Sequence, residues 1–588
     1  MSRIFSSLVG ISRQFALQLC VLLLCWSVTC WTHWSSDGLW FQTDAPAHAI
    51  TGLFYRDFLT QCRENPLEFT RRYYARYPTI CPNAYPPVFY LLEAAAFLLY
   101  GPSTEAAKGV VLLCLLGTGL YALAWLRRWI EPDAGAAAGL LLLTPGVVTW
   151  SHAIMTNIPA LMFGIGSLYH VLRAFESIDE RSARHHLWLA CLLASLGILT
   201  HPLIGVVVLV GAVWMLALRR WQILFRSYTW FAAFWVVLFL LPAAVMLYRW
   251  GPGQFAQLTR DPTAPSLNPA SFNYIGNMSY YARHFVVPLV GIPVLVGASA
   301  GLMIGLMRPR FRKATTLLLI WATVPYLFLS LLWAKDARYL LVCCPALTGL
   351  IAIAIIGITD GLCRVFTGRR RDLPLGNLSD TARSVQLPSE PASVAPTEAS
   401  STNRTRSWQT VFSMLVVIFA VTIFVFDHSE PIPSVRSLRE CTAFLEQIAP
   451  CEPVLYHGRM QGVYTFHLCA HDPGYRRQMV SLRNLFGLGK QPQPDLTTTQ
   501  EIILSAGPRW LAVETPIDKL AFTLPENLRE FVKSDEVELV RSFSQPADQL
   551  HQLNVYRIVS RFREDADQGD CFDLPQRVLG KVVLPIRQ

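Results

Sequence analysis

The chain has 588 residues, of which 53% are hydrophobic and only 15% charged, and it contains 17 tryptophans. This composition excludes an ordinary soluble protein of that length. Repeated apolar runs match the roughly 20 residues that a helix needs to cross a hydrocarbon core, and the backbone inside that core must satisfy its own hydrogen bonds. The net charge of +10 is carried mostly by basic loops that fit a membrane topology, so nucleic acid is not expected as a partner.

Eleven membrane-spanning helices are predicted. Arg3 and Arg13 precede the first and put the N-terminus in the cytoplasm. The run 187–218 is too long for one helix and is interrupted at His201-Pro202, since proline disfavours helix for the residue before it. The predicted spans are 15–31, 107–126, 134–150, 158–173, two within 187–218, 229–248, 285–307, 314–333, 339–358 and 409–427.

The distribution of basic residues supports this layout. Dense Arg and Lys clusters fall in five short loops, which the positive-inside rule assigns to the cytoplasm: 127–128, 173–184, 219–226, 308–313 and 364–371. The opposite loops and the C-terminal tail then lie outside. In the first outer loop, residues 86–100 are apolar but too few for a span, so they predict a re-entrant or interfacial helix.

The sequence divides into four parts. Residues 1–360 form a transmembrane domain with outer loops 32–106 and 249–284, and residues 361–408, rich in Ser, Pro, Thr and Glu, predict a flexible cytoplasmic linker. The last transmembrane helix is 409–427, and 428–588 has the composition of a soluble domain. Strand-like runs with helical stretches between them predict an extracytoplasmic α/β or α+β domain there: 453–456, 510–514, 537–540 and 553–559.

Cysteines in the outer parts of the chain are candidates for disulfides. Cys62 with Cys81, and Cys441 with Cys451, would lie in an oxidising compartment. Spacing alone does not determine the pairing.

An acidic residue stands at an unusual place, just after the first span. Asp44 and His48 are four residues apart, so in a helix they share a face, which suits a divalent metal ion or a hydrogen-bonded acid–base pair. A carboxylate at this face can accept a proton from an attacking hydroxyl. A solvated loop acid is the alternative interpretation.

Cations occur at the same predicted membrane face. Lys335 and Arg338 lie at the outer end of two spans, where they can stabilise a departing phosphate. Asp336 between them also allows a purely structural ion-pair turn. His201, at the outer helix break, is either a metal ligand, a hydrogen-bond donor or an interfacial residue without a role.

Four sequence elements in a fixed order carry a family resemblance. They are Thr43-Asp44-Ala45-Pro46, the run Tyr85-Pro86-Pro87-Val88-Phe89-Tyr90, the run 199–205 around Thr200-His201-Pro202, and 337–345, which begins Ala337-Arg338-Tyr339. Over roughly residues 10–360 the chain resembles the polytopic GT-C glycosyltransferases, in particular the bacterial group similar to protein mannosyltransferases and to the lipid A aminoarabinose transferase. The resemblance implies a GT-C-like helical fold. It also implies sugar transfer from a polyprenyl-phosphate carrier to an acceptor on the outer side of the membrane.

The resemblance also implies roles for individual residues. Asp44 stands where the family has its catalytic or metal-binding acid, with His48 close by. Lys335, Arg338 and His201, together with Arg283, are expected to bind the donor phosphate.

The chain departs from the family pattern at three positions. Asn157 replaces the second acid, in the outer turn after the third span, and Tyr85 replaces a lysine found in some members. His201 replaces the lysine of a Thr-Lys-Gly-Pro element. Tyr85 and Asn157 are expected to contact the substrate.

The sequence therefore predicts an inverting glycosyltransferase of the bacterial inner membrane, with a cytoplasmic N-terminus and a periplasmic C-terminal domain. Its expected partners are a polyprenyl-phosphate sugar, an acceptor of unspecified type and membrane lipids. A transporter or lipid flippase is the first alternative, although no internal repeat is visible and the charges lie at the boundary rather than at the midplane. A non-catalytic assembly or sensor protein is the second, because of Asn157 and Tyr85.

Overall fold

The structure is a computed structural model. It describes residues 13–32, 38–39, 44–77, 79–80, 85–250, 274–285, 289–332, 336–367, 412, 415–423, 436–450, 452–458, 460–472, 479–481, 496–505, 508–515, 526–544, 552–559, 572–576 and 580–584.

Fifteen helices form the part of the fold described up to residue 367. Short 3₁₀ segments connect several of them, at Pro132–Ala137, Pro202–Gly205, Trp221–Phe225, Pro309–Phe311 and Ala337–Cys343. The helices are α1 (Arg13–Thr32), α2 (Asp44–Gln61), α3 (Pro66–Arg76), α4 (Val88–Tyr100), α5 (Thr104–Trp129), α6 (Ala138–Leu142), α7 (Pro145–Ser151), α8 (Asn157–Glu176), α9 (Glu180–Ile198), α10 (Val206–Ala217), α11 (Ser227–Trp250), α12 (Tyr274–Phe285), α13 (Ile292–Met307), α14 (Arg312–Leu331) and α15 (Cys344–Thr367).

Several helices are long and apolar enough to cross a membrane, so the protein is an integral membrane protein. Among the described residues five helices meet this condition: Arg13–Trp31, Thr104–Trp129, Asn157–Glu176, Pro309–Leu331 and Ala337–Leu362. A bent pair, Pro132–Leu142 with Pro145–Ser151, would be a sixth. Helix is present at every one of the eleven predicted spans, the last at 415–423. The number of membrane crossings is not confirmed, because the other helices are shorter or less apolar.

The predicted interruption at His201 is confirmed. Helix α9 ends at Ile198, and a 3₁₀ turn from Pro202 leads into α10. The Nδ1 atom of His201 accepts a hydrogen bond from the backbone N–H of Leu203 at 3.3 Å, so the histidine caps this turn. The break turns the chain back at the predicted outer face.

The first outer loop is not irregular but contains α2, α3 and α4. Asn65 caps α3 by accepting the N–H of Leu67 at 2.9 Å, and Pro66 occupies the first turn, where a missing N–H costs nothing. An aromatic cluster joins α2 to α3, with the ring centroid of Tyr73 5.2 Å from that of Phe54. Helix α4 is the predicted short helix within 86–100. We call these three helices, with the described residues between them, the first outer layer, after the predicted position of the loop.

A five-stranded sheet organises the C-terminal part, and the expected α/β character is confirmed. Its order is β2-β1-β3-β5-β4; β2, β1 and β3 are parallel, whereas β5 runs antiparallel to both β3 and β4. The strands are β1 (Val454–His457), β2 (Met479–Ser481), β3 (Trp510–Thr515), β4 (Val537–Ser544) and β5 (Gln552–Ile558), and a separate hairpin contains β6 (Phe572–Gln576) and β7 (Gly580–Leu584). Four helices accompany the sheet: α16 (Arg436–Ile448), α17 (Gln461–Ala470), α18 (Leu496–Ser505) and α19 (Glu526–Phe531).

Two groups of predictions fall partly outside the described residues. Helix α15 continues to Thr367, past the expected start of the linker at 361, and residues 368–411 are not described. The proposed disulfide partners Cys81 and Cys451 are also not described, so both pairings stay predictions.

Candidate active site

The site is built around an ion pair between the first outer helix and the end of the bundle. Asp44 is the first residue of α2, and its Oδ2 atom lies 2.8 Å from Nη2 of Arg338. Arg338 belongs to the 3₁₀ segment Ala337–Cys343, which is capped by Asp336: the Asp336 Oδ1 atom accepts the Arg338 N–H at 3.0 Å. The chain therefore brings the predicted acid and the predicted phosphate-binding cation into direct contact.

Arg338 is held from several sides. Its Nε atom lies 2.9 Å from Oδ2 of Asp336, and its guanidinium carbon lies 5.4 Å from the ring centroid of Trp150. The side chain is only 7% exposed. Burial raises the pKa of Asp336, while Arg338 opposes this shift. Arg338 is thus a fixed cation between two carboxylates. Its planar guanidinium group can donate two parallel hydrogen bonds to a pair of oxygen atoms.

His48 lies one turn from Asp44 on the same helix, as predicted. It is 2% exposed, and its Nδ1 atom lies 2.9 Å from the hydroxyl oxygen of Tyr90. Its Nε2 atom has no hydrogen-bond partner among the described residues. Burial lowers the pKa of His48 to about 4; Asp44 opposes the shift and Arg338 adds to it. His48 is therefore neutral at physiological pH and offers one nitrogen for a substrate hydroxyl.

A row of rings connects the two histidines. The ring centroid of Tyr85 lies 4.9 Å from that of His48 and 5.5 Å from that of His201, and His201 lies 5.9 Å from Tyr339. Burial lowers the pKa of His201 to about 3, with Arg338 and His48 acting in the same direction. His201 is consequently neutral. Because its Nδ1 atom accepts a backbone hydrogen bond, its proton is on Nε2, and it can serve as a donor but not as a cation.

A small cavity opens beside Arg338. Its volume is about 30 Å³, which holds one or two water molecules. The lining includes Asn157, whose Oδ1 atom has no hydrogen-bond partner in the described part of the chain. The other lining residues are Ala160, Leu161, His201, Leu203, Ile204, Arg338, Tyr339, Leu341 and Val342.

Six of the eight predicted site positions can be related to this centre. Asp44, His48, Tyr85, His201 and Arg338 form one connected group, which Asn157 joins through the cavity lining. Lys335 lies outside the described residues. Arg283 is exposed on α12 and makes no described contact with this group.

Two residues at the site were missed by sequence reasoning. Tyr90, the hydrogen-bond partner of His48, closes the Tyr-Pro-Pro-Val-Phe-Tyr run, so its position in that motif was an available signal. Trp150, beside Arg338, ends an apolar segment. Because the chain contains many other aromatic residues, nothing in the sequence distinguishes this one.

The described residues do not fit a complete metal site. Asp44 and His48 share a face of α2, but no group of three or more His, Cys, Asp or Glu residues suited to a metal occurs in the described chain. The carboxylate of Asp44 is in contact with Arg338 instead. The divalent metal suggested by the sequence stays a prediction.

Comparison with known proteins supports the resemblance stated from the sequence. A family model described as dolichyl-phosphate-mannose-protein mannosyltransferase matches residues 84–247, which include Tyr85, Asn157 and His201. No curated protein sequence matches the chain significantly.

Solved structures share the fold across most of the chain. ArnT from Cupriavidus metallidurans, in its apo state and bound to undecaprenyl phosphate, aligns with 92% of this chain at 15% identity and a TM-score of 0.57, covering 98% and 97% of those chains. The oligosaccharyltransferase AglB from Archaeoglobus fulgidus, in complex with an inhibitory peptide and a dolichol-phosphate, aligns with 85% of this chain and 70% of its own at 11% identity and a TM-score of 0.51. The resemblance to the GT-C glycosyltransferases is thus confirmed, and the protein has the fold of these membrane enzymes.

Proposed function

We propose that the protein is a glycosyltransferase that moves a sugar from a polyprenyl-phosphate carrier to an acceptor at the outer face of the bacterial inner membrane. The observation that carries the proposal is the contact between Asp44 and Arg338, 2.8 Å apart, with neutral His48 and His201 beside it. The fold neighbour bound to undecaprenyl phosphate supports the class of donor. Neither the sugar nor the acceptor follows from these observations.

In the proposed reaction an acceptor hydroxyl attacks the anomeric carbon of the donor sugar. Asp44 takes the hydroxyl proton, the new carbon–oxygen bond forms, and the bond from that carbon to the carrier phosphate breaks with its electron pair on the phosphate. Attack from the opposite side inverts the anomeric configuration. The described Asp44–Arg338 contact has to open for this, because the donor phosphate and Asp44 compete for the same guanidinium.

Arg338 stabilises the leaving phosphate, in which negative charge develops as the bond breaks. His201 can donate an uncharged hydrogen bond to the same group from Nε2, and Lys335 and Arg283 are proposed as further contacts. His48, through its Nε2 atom, which has no hydrogen-bond partner in the described part of the chain, positions the acceptor hydroxyl next to Asp44. Tyr85 and Asn157 are proposed to contact the sugar.

The proposed sidedness is supported by charges at the far end of the bundle. The Oε2 atom of Glu176, at the end of α8, lies 3.6 Å from Nε of Arg128 on α5. Its Oε1 atom lies 3.7 Å from Nζ of Lys313 on α14. Three loops assigned to the cytoplasm from their charge therefore meet at one end. Arg310 also pairs with Glu131, at 3.2 Å, and with Asp360 at this end.

Turnover of a donor panel by the purified protein tests the proposal. The protein in lipid is given polyprenyl-phosphate sugars, and release of free polyprenyl phosphate is measured alongside sugar transfer. At least one donor is expected to turn over, and Asp44→Asn, which keeps the shape but loses the base, is expected to remove that turnover. Normal transfer by Asp44→Asn would overturn the role of Asp44.

A control separates loss of chemistry from loss of fold. Both proteins are compared by gel filtration and thermal unfolding before the assay. If folded wild-type protein turns over none of the donors, the glycosyltransferase proposal fails in favour of transport or binding.

A further inference from the structure

One face of α17 in the C-terminal domain packs against the first outer layer. Gly462, Thr465 and Cys469 follow one another at helical spacing, and Asp472 lies two residues beyond the end of α17; each of the four contacts that layer. Such a spacing places residues on a single helix face.

Hydrogen bonds fix the far end of this contact. The hydroxyl of Tyr73 on α3 donates to Oδ2 of Asp57 at 3.0 Å and lies 3.0 Å from Sγ of Cys469. The hydroxyl of Tyr77 donates to Oδ2 of Asp472, also at 3.0 Å. Asp57 is on α2 and fully buried. The contact therefore holds α2 as well as α3.

At the other end of the face, α17 touches the first turn of α2 without any intervening side chain. A Cβ atom placed on Gly462 would lie 2.7 Å from Cβ of Pro46 and 3.3 Å from Cγ2 of Thr79. Real Cβ atoms do not approach so closely, so only glycine fits here without displacing Pro46. Pro46 is two residues from Asp44.

Doubly wound sheets usually bind a ligand at the ends of their parallel strands. The ends of the parallel strands β1 and β3 are such a place, but Glu514 fills it. Its Oε1 atom accepts the N–H of Met460 at 3.0 Å and the hydroxyl of Tyr456, and a Cβ on Gly458 would lie 2.6 Å from Cγ of Glu514. The strand ends thus secure the start of α17 rather than a small molecule.

We propose that α17 of the C-terminal domain sets the position of Asp44 relative to Arg338, and that Gly462 is the positioning residue. This inference rests on the proposed function of the Asp44–Arg338 pair. Gly462 does not touch the pair itself; it acts through Pro46 and the first turn of α2. The C-terminal domain then contributes to the transfer step and not only to recognition of an acceptor.

The test is a double-mutant cycle at the contact. Gly462→Ala is expected to lower kcat by roughly 10–100-fold, since a misplacement of about 1 Å has effects of this size, while the KM for the donor changes by less than about 3-fold. Pro46→Gly removes the Cβ that the new methyl group meets. In the Gly462→Ala background it is expected to restore kcat toward that of Pro46→Gly alone.

Gly109→Ala is the matched control, because a Cβ on Gly109 meets nothing within 4 Å. It is expected to keep the kcat and KM of the wild type. A wild-type kcat for Gly462→Ala, or a loss that Pro46→Gly does not relieve, would overturn the proposal.

A structure of Gly462→Ala by electron cryomicroscopy tests the inference without any turnover. The distance from Asp44 Oδ2 to Arg338 Nη2 is expected to exceed the 2.8 Å described here. An unchanged distance refutes the positioning role. Failure of the wild type to use any donor would instead refute the proposed function, so the two failures are distinguished.

Discussion

Asp44 and Arg338 are 294 residues apart in the chain and 2.8 Å apart in the fold. The contact joins the first turn of α2 to the start of a buried span. Its partners are unequal, because the side chain of Arg338 is 7% exposed whereas that of Asp44 is 30% exposed. The acid can thus be reached by a substrate, while the cation is fixed by its surroundings.

Replacement of Arg338 by lysine is expected to lower kcat by about 100-fold or more, comparable with the loss of a fixed donor at a developing anion. Lysine keeps the charge but cannot contact Asp44 and Asp336 through two separate nitrogens. The measurement is release of polyprenyl phosphate at saturating donor. Arg71→Lys, on the exposed face of α3, is the control and should not change the rate. Full activity of Arg338→Lys would contradict the role given to the guanidinium group.

Replacement of Tyr90 by phenylalanine is expected to destabilise the protein by about 1–3 kcal/mol, the usual cost of leaving a buried polar atom without its partner. The change removes the hydroxyl that lies 2.9 Å from Nδ1 of His48. A lower kcat is also expected, because that contact fixes the His48 ring. Unfolding midpoints in detergent, with turnover at saturating donor, check both effects. An unchanged midpoint and rate would show that the contact has no role.

Acidification from pH 6.5 to about 4 is expected to destabilise the protein. The pKa values of His48 and His201 in the folded state are lowered to about 4 and about 3, so the unfolded chain takes up protons first as the pH falls. The contribution of each histidine to stability is therefore complete when the pH is above the pKa of the unfolded chain. It decreases at lower pH, by up to about 1.4 kcal/mol per pH unit for each group. Unfolding midpoints at several pH values measure this slope. His201→Asn is expected to make it shallower, and an unchanged slope would contradict the assignment.

Turnover is expected to persist in the presence of EDTA. Arg338 already supplies positive charge next to Asp44, and no set of three metal-binding side chains occurs in the described residues. The assay compares chelated protein with protein supplied with Mg²⁺, Mn²⁺ or Zn²⁺. Loss of activity on chelation, restored by one of these ions, would support the metal expected from the sequence instead.

The sequence predicted the helices of the bundle well, because apolar length reports directly on burial in a membrane. It also assigned Asp44, His201 and Arg338 to one face, since the basic loops fix which helix ends lie together. The 2.8 Å contact between Asp44 and Arg338 depends on how the helices pack, so no local sequence pattern predicts it. That these residues share one end of the bundle was predictable, and their pairing was not.

The first outer loop was harder to interpret. Helices α2 and α3 bury tyrosines and polar side chains against another domain, so they show no clean apolar stripe. The docking face of α17 carries a glycine, a threonine and a cysteine, and Asp472 follows just after the helix, a set that indicates no interface. Four strands of the C-terminal sheet were predicted from short runs rich in β-branched, leucine and aromatic residues, whereas β2, with three residues, was too short to detect.

The docking of α17 also affects how the protein is made. Tyr73 contacts Cys469 across a sequence separation of 396 residues, so the first outer layer is synthesised long before the surface that completes it. During synthesis the layer must wait at the membrane with buried polar groups such as Asp57 still exposed. The packing around the first turn of α2 is therefore complete only after the C-terminal domain has folded.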